Sequence, residues 1–220
     1  MEFLTAGMSR VFLLSPANCG GRRAEQVLSP GARSALAAEL RSPRGATLGE
    51  LFSFVSGLYF RGKLAYASRF AQPPDPANPL VGAGVHVITP TAGLRTPDTR
   101  VTQAAVRAFA RGDVDASNVL YRRPLESSAA ALLAAIGPDC DIVLLGSIAS
   151  PKYIGILTAV FGRRLSFPAE FVGRGDMSRG GLLLRQARAG VELAYLPVVG
   201  TPLHGARPPK LPPMRWAPRA

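Results

Sequence analysis

Asn18, Asp98 and Asp176 are the residues of this 220-residue chain whose type and setting offer catalysis. Each stands in a loop of glycines, prolines and hydroxyl residues that follows a short apolar run. A carboxylate so placed serves as a general base or stabilises a cationic transition state, and an amide orients a water or a base edge. Capping and turn formation use the same residue types as readily. Around them stand groups suited to holding a ligand or phosphate: Ser15, Gly20 and Arg22 in the first loop, Thr91 in the second, Ser147, Lys152 and Tyr153 in the third, and Arg174, Ser178 and Arg179 in the last. Three of the four loops put cations beside a helix start: Arg22 with Arg23, Lys152, and Arg174 with Arg179. The helix dipole disfavours a cation there by ~0.3–1 kcal/mol. An anion held between them, with help from backbone N–H groups, removes the conflict. Arginines that reach into solvent or pair with Glu170 or Asp176 remove it as well.

These loops need a scaffold, and the apolar pattern supplies one. Val11–Leu14, Gly84–Ile88, Ile142–Leu145 and Leu165–Phe167 read as short buried strands, with a last strand within Val191–Val199. Between them lie helical segments. Ser29-Pro30 marks one helix start, and Thr47 with Glu50 has the spacing of a capping box. Leu51–Phe70 reads as helix interrupted near Gly57, and its Tyr59, Phe60, Arg61, Lys63 and Tyr66 fit either base stacking or an amphipathic helix with a basic outer face. Thr102 opens a helix that ends near Gly112, Pro124 opens the next, and Ser150-Pro151 opens a third. Asp176 or Ser178 caps a last helix ending near Gly190. Alternating strands and helices predict a three-layer α/β fold around a mostly parallel sheet of four to five strands. In such a sheet ligands bind beyond the carboxyl ends of the strands, which places the four loops at one rim.

The chain divides into an N-terminal extension (1–10, in which Met8 offers a second start), a single α/β domain (11–199), and a proline- and arginine-rich tail (200–220) that carries Trp216. The tail either wraps the domain as extended chain or stays mobile. A net charge of +12 points to polyanions, nucleic acid first, although an arginine-rich composition raises charge without any function. Two cysteines and two histidines make neither a disulfide framework nor a zinc site, so no metal and no cofactor are expected. Cys19 near Arg22 is a nucleophile candidate without a histidine beside it in sequence, and buried free thiols are common. No apolar run approaches the ~20 residues of a membrane span, and Met1–Arg10 lacks a signal-peptide core, so the expectation is a cytoplasmic protein away from membranes.

Three segments carry a resemblance in their order along the chain: Ser15-Pro16-Ala17-Asn18-Cys19-Gly20, Leu144-Leu145-Gly146-Ser147-Ile148-Ala149, and Asp176-Met177-Ser178-Arg179. They are similar to the uracil-DNA glycosylase superfamily, its mismatch-specific branch and uncharacterised bacterial domains that accompany base-modification enzymes. The resemblance implies a glycosylase-like fold acting on DNA, RNA or a nucleotide. It implies hydrolysis of an N-glycosidic bond after the nucleotide is flipped out of the stack. Asn18 then holds the water-activating position, and Ser178 with Arg179 grips the nucleic-acid backbone. The sequence departs from that family: no histidine stands in the last loop, no Asp-Pro-Tyr follows the first strand, and no stacking phenylalanine follows Asn18. A non-catalytic nucleic-acid or nucleotide-binding module is the alternative, and a protein-interaction domain working through the basic tail is a third.

Overall fold

The computed structural model describes residues 9–149 and 151–212. Met8, Ser150 and Trp216, each singled out above, lie outside the described residues. In chain order the elements are β1 (Arg10–Leu14), α1 (Arg22–Leu28), α2 (Ala35–Arg41), β2 (Ala46–Thr47), α3 (Leu48–Ser56), α4 (Leu58–Phe70), β3 (Val85–Thr89), β4 (Gly93–Arg95), β5 (Arg100–Val101), α5 (Gln103–Arg111), α6 (Val119–Ala135), β6 (Asp141–Leu145), α7 (Pro151–Phe161), β7 (Leu165–Pro168), α8 (Asp176–Ala189) and β8 (Tyr195–Pro197).

The architecture is α/β. Six strands form the central sheet in the order β4-β3-β1-β6-β7-β8, and β2 pairs with β5 as a small ribbon. β3, β1, β6 and β7 run parallel, while the two edge strands β4 and β8 are antiparallel to their neighbours. Every residue of β1, β3 and β6 is buried, which requires cover on both faces. Two helix pairs, α4 with α8 and α6 with α7, supply it. One apolar core runs from Val11 to Val198.

The sheet is wider than four or five strands because the chain doubles back after β3. Thr89 Oγ accepts the Ala92 N–H and donates to the Gly93 carbonyl, and Gly93 has φ +68. That conformation suits glycine, and a side chain there would meet Pro124 and Ser128 of α6. The turn sends β4 back along β3 and carries Thr96–Asp98 to the opposite end of the sheet. The last strand is shorter than the Val191–Val199 segment, three residues paired antiparallel to β7.

Several helix starts differ from the sequence reading. Ser29 closes α1, and Ser34 caps α2 by accepting the Ala37 N–H at 3.2 Å. α6 begins at Val119, ahead of Pro124, because Asn118 Oδ1 accepts the Leu120 N–H. The helix from Asp176 has Gly175 at its cap and no side-chain cap bond. The capping box of Thr47 and Glu50, the break at Gly57 and the helix end near Gly190 stand as read, and Gly190 ends that helix in the left-handed conformation. Through residue 212 the tail wraps the domain along α8. Arg174 Nη1 donates to the Pro209 carbonyl, Arg185 donates to the Pro212 carbonyl, and Leu203 and Leu211 pack against the core.

Candidate functional site

β1 and β6 lie side by side in register, Leu14 opposite Leu145, so the segments that follow them leave the sheet together. They open onto a cavity of about 540 Å³ lined by Ser15, Asn18, Ser147, Lys152, Tyr153 and Asp176 of the sequence-derived set. Ser56 and Tyr59, at the junction of α3 and α4, and Gly112 and Val114, after α5, also line it. Gly146 makes the close approach of the two loops feasible. A Cβ there would stand 2.8 Å from the Tyr153 hydroxyl and 2.9 Å from Ser15 Cβ. Tyr153 Oη takes the Ser147 N–H at 2.7 Å, lies 3.1 Å from the Ser147 carbonyl, and hydrogen-bonds the Ser15 hydroxyl. Burial raises the Tyr153 phenol to about 12, so it keeps its proton at neutral pH.

Beneath this floor is a lysine that points inward. Lys63 of α4 is 1% exposed, and its Nζ stands 2.7 Å from the Ser15 carbonyl oxygen and 2.8 Å from Ser15 Oγ. The ammonium lies over the rings of Tyr59 and Phe60, at 4.6 and 5.0 Å. Desolvation brings Lys63 down to about 7, against a weaker upward pull from the Asp176 carboxylate. The basic outer face read for this helix therefore holds for Arg61, which is exposed, and fails for Lys63. The spacing did contain a signal. Tyr59, Phe60, Lys63, Tyr66 and Ala67 share one helical face, and all five are buried.

Other expected site residues lie elsewhere. Asp98 lines a different hollow with Val85 and Gly82, at the amino end of β3, because the β4 hairpin carries it away. Thr91 sits behind the cavity wall, its methyl packed toward Gly112. The five-cation cradle does not form. Arg22 and Arg23 are exposed on α1, with Arg23 turned to the Phe54 carbonyl. Arg179 is buried: it donates to the Phe171 carbonyl, stacks over the Phe171 ring at 5.2 Å and pairs with Asp176 at 3.5 Å. That ties the turn after β7 to the start of α8, so Arg179 holds the fold together there. Arg174 and Ser178 bond to each other and line a second hollow, about 380 Å³, with Arg185, Arg207 and Lys210 between α8 and the tail.

Asn18 borders the cavity, but its Oδ1 already accepts the Gly20 N–H at 3.0 Å, the local turn role that competes with catalysis. Gly20 thereby serves the turn. Cys19 is buried and its thiol is pushed up to about 12, which suits packing and not attack. Among the described residues no group of three or more His, Cys, Asp or Glu gathers where a metal ion could be held, and no helix is long and apolar enough to cross a membrane.

No family model matches this chain, and neither a curated protein nor a solved structure does.

Proposed function

We propose that this chain acts on nucleic acid or a nucleotide by taking one nucleoside unit into the cavity at the carboxyl ends of β1 and β6. The observation that carries the reading is the composition of that cavity. Aromatic wall (Tyr59, Tyr153), hydroxyl and amide groups (Ser15, Asn18, Ser56, Ser147), one cation (Lys152) and one carboxylate (Asp176) meet in about 540 Å³. Rings accept a base face, polar groups read its edge, and the cation answers a phosphate. The net charge of +12 and the cationic hollow beside α8 support attraction of a polyanion.

In the catalytic form of this reading the reaction is hydrolysis of an N-glycosidic bond. Asp176 is the carboxylate of the lining, with its side chain 61% exposed, and in this reading its negative charge stabilises an oxocarbenium-like sugar. The second reading, a binding module without turnover, is favoured by one specific observation: Asn18 Oδ1 is engaged by Gly20.

The test combines binding and product detection on single-stranded oligonucleotides, including uracil-containing ones. Binding should weaken steeply between about 50 and 200 mM salt. Free base should appear by mass spectrometry with the wild type and vanish with Asp176→Asn. Salt-sensitive binding without released base selects the module. Binding that is indifferent to salt rejects both forms.

A further inference from the structure

Ser15 and Lys63 have a relationship that the nucleoside reading does not use. Ser15 closes β1, is 6% exposed and contributes to the cavity floor. Its hydroxyl lies between Lys63 Nζ, at 2.8 Å, and the phenol of Tyr153. The Lys63 amine also reaches the Ser15 carbonyl oxygen at 2.7 Å, which fixes its direction. A side chain that long has no need to be inside a sheet protein. Buried ammonium groups are costly, and a neutral amine removes the cost while gaining a lone pair.

We propose that Ser15 is a nucleophile, Lys63 its general base and Tyr153 its positioning residue, acting on the carbonyl of a small ester or amide that enters the cavity. In the first step Ser15 Oγ bonds to the carbonyl carbon as its proton passes to the neutral Lys63 amine. The tetrahedral adduct then collapses. The bond to the leaving alcohol or amine breaks, and the Lys63 ammonium returns the proton to it. Water next adds to the acyl-serine, giving a proton to Lys63. The Ser15–acyl bond breaks, Ser15 recovers that proton, and a carboxylic acid leaves.

Tyr153 keeps its proton, donates it to the Ser147 carbonyl and takes the Ser147 N–H, so its phenol is held in place and in turn holds the Ser15 hydroxyl. The charged and titratable groups that bear on Lys63 are Tyr59 from its own helix and Asp176 from α8, with Arg179 next to Asp176 and Tyr153 from α7 on the other side of the Ser15 hydroxyl. Of these, Asp176 favours the ammonium, and burial opposes it and dominates.

The experiment is covalent labelling of the full chain with a fluorophosphonate, read by intact mass and peptide mapping, with no nucleic acid present. It is therefore independent of the nucleoside reading. The expected result is one adduct on Ser15, formed with loss of fluoride, at a rate that rises with pH through a midpoint near 7. Ser15→Ala should remove it. Lys63→Met should slow it at least ~10²-fold, the range general-base catalysis supplies. Tyr153→Phe should leave the midpoint in place and lower the plateau. Absence of an adduct at about pH 8, labelling at another residue, or a Lys63→Met rate equal to the wild type overturns the proposal. Should Lys63→Met fail to fold, the wild-type profile decides alone, and a rate flat from about pH 6 to 8.5 overturns it.

Discussion

Gly62 of α4 and Gly180 of α8 meet backbone to backbone: a Cβ on Gly62 would stand 3.0 Å from the Gly180 Cα. A Cβ on Gly180 would in turn stand 2.7 Å from the Cα of Tyr59. This contact sets the site, because Tyr59 and Lys63 ride on one helix and Asp176 on the other. Tyr59 and Asp176 meet in the cavity wall, with Lys63 beneath it against Ser15, only while the helices stay this close.

Gly180→Ala is therefore expected to destabilise the chain by about 1–3 kcal/mol, the range seen when a packed contact is overfilled. The melting temperature should fall by roughly 2–4 °C per kcal/mol. Gly155→Ala is the control. Gly155 is exposed within α7 with nothing within 4 Å of an added Cβ, so alanine there should stabilise by roughly 0.5–1 kcal/mol. Urea unfolding of the two variants checks both signs.

All five tyrosines are held above their ordinary pKa, burial being the first cause for each: Tyr66 and Tyr153 to about 12, Tyr59, Tyr121 and Tyr195 further still. The unfolded chain releases phenolic protons near 10, and the folded chain retains them. Stability from this source is complete below about pH 10 and is lost progressively as pH rises from there through about 12 and above. Phenolate absorbance should thus appear in one step that coincides with loss of the circular-dichroism signal. A set of tyrosines titrating near 10 in the folded protein would contradict this.

The hollow beside α8 carries Arg174, Arg185, Arg207 and Lys210. Arg207 and Lys210 lie on the exposed tail, so Arg207→Ala with Lys210→Ala removes charge while sparing the Arg174 and Arg185 bonds to the tail backbone. Oligonucleotide binding should weaken evenly across sequences, and the log–log salt slope should shrink by about 2. An unchanged slope would take this hollow out of the binding surface.

Much of the scaffold was readable from local pattern. Uninterrupted apolar runs such as Ile142–Leu145 have few alternatives to a buried parallel strand, and Thr47 with Glu50 or Gly190 mark helix ends by their own chemistry. What was not readable depended on contacts distant in sequence. Gly93 turns the chain back because α6 lies against it, and no local feature tells Asp98 which end of the sheet it will reach. Arg179 resembles a surface cation until Phe171 and Asp176 are placed around it. The same limit hid Lys63. Its face was legible, but the Ser15 groups that receive it lie 48 residues earlier. The loops after β1 and β6 were placed correctly because two adjacent parallel strands leave their followers nowhere else to go.

The central claim is that a base enters the cavity between Tyr59 and Tyr153, and photocrosslinking tests it most directly. An oligonucleotide carrying 5-iodouracil, irradiated with the full chain and mapped by mass spectrometry, should attach to Tyr59 or Tyr153. Attachment should be lost when Ser56→Trp puts a large side chain into the cavity it lines. Crosslinks confined to the arginines of the tail and α1, with neither tyrosine labelled, would contradict the account.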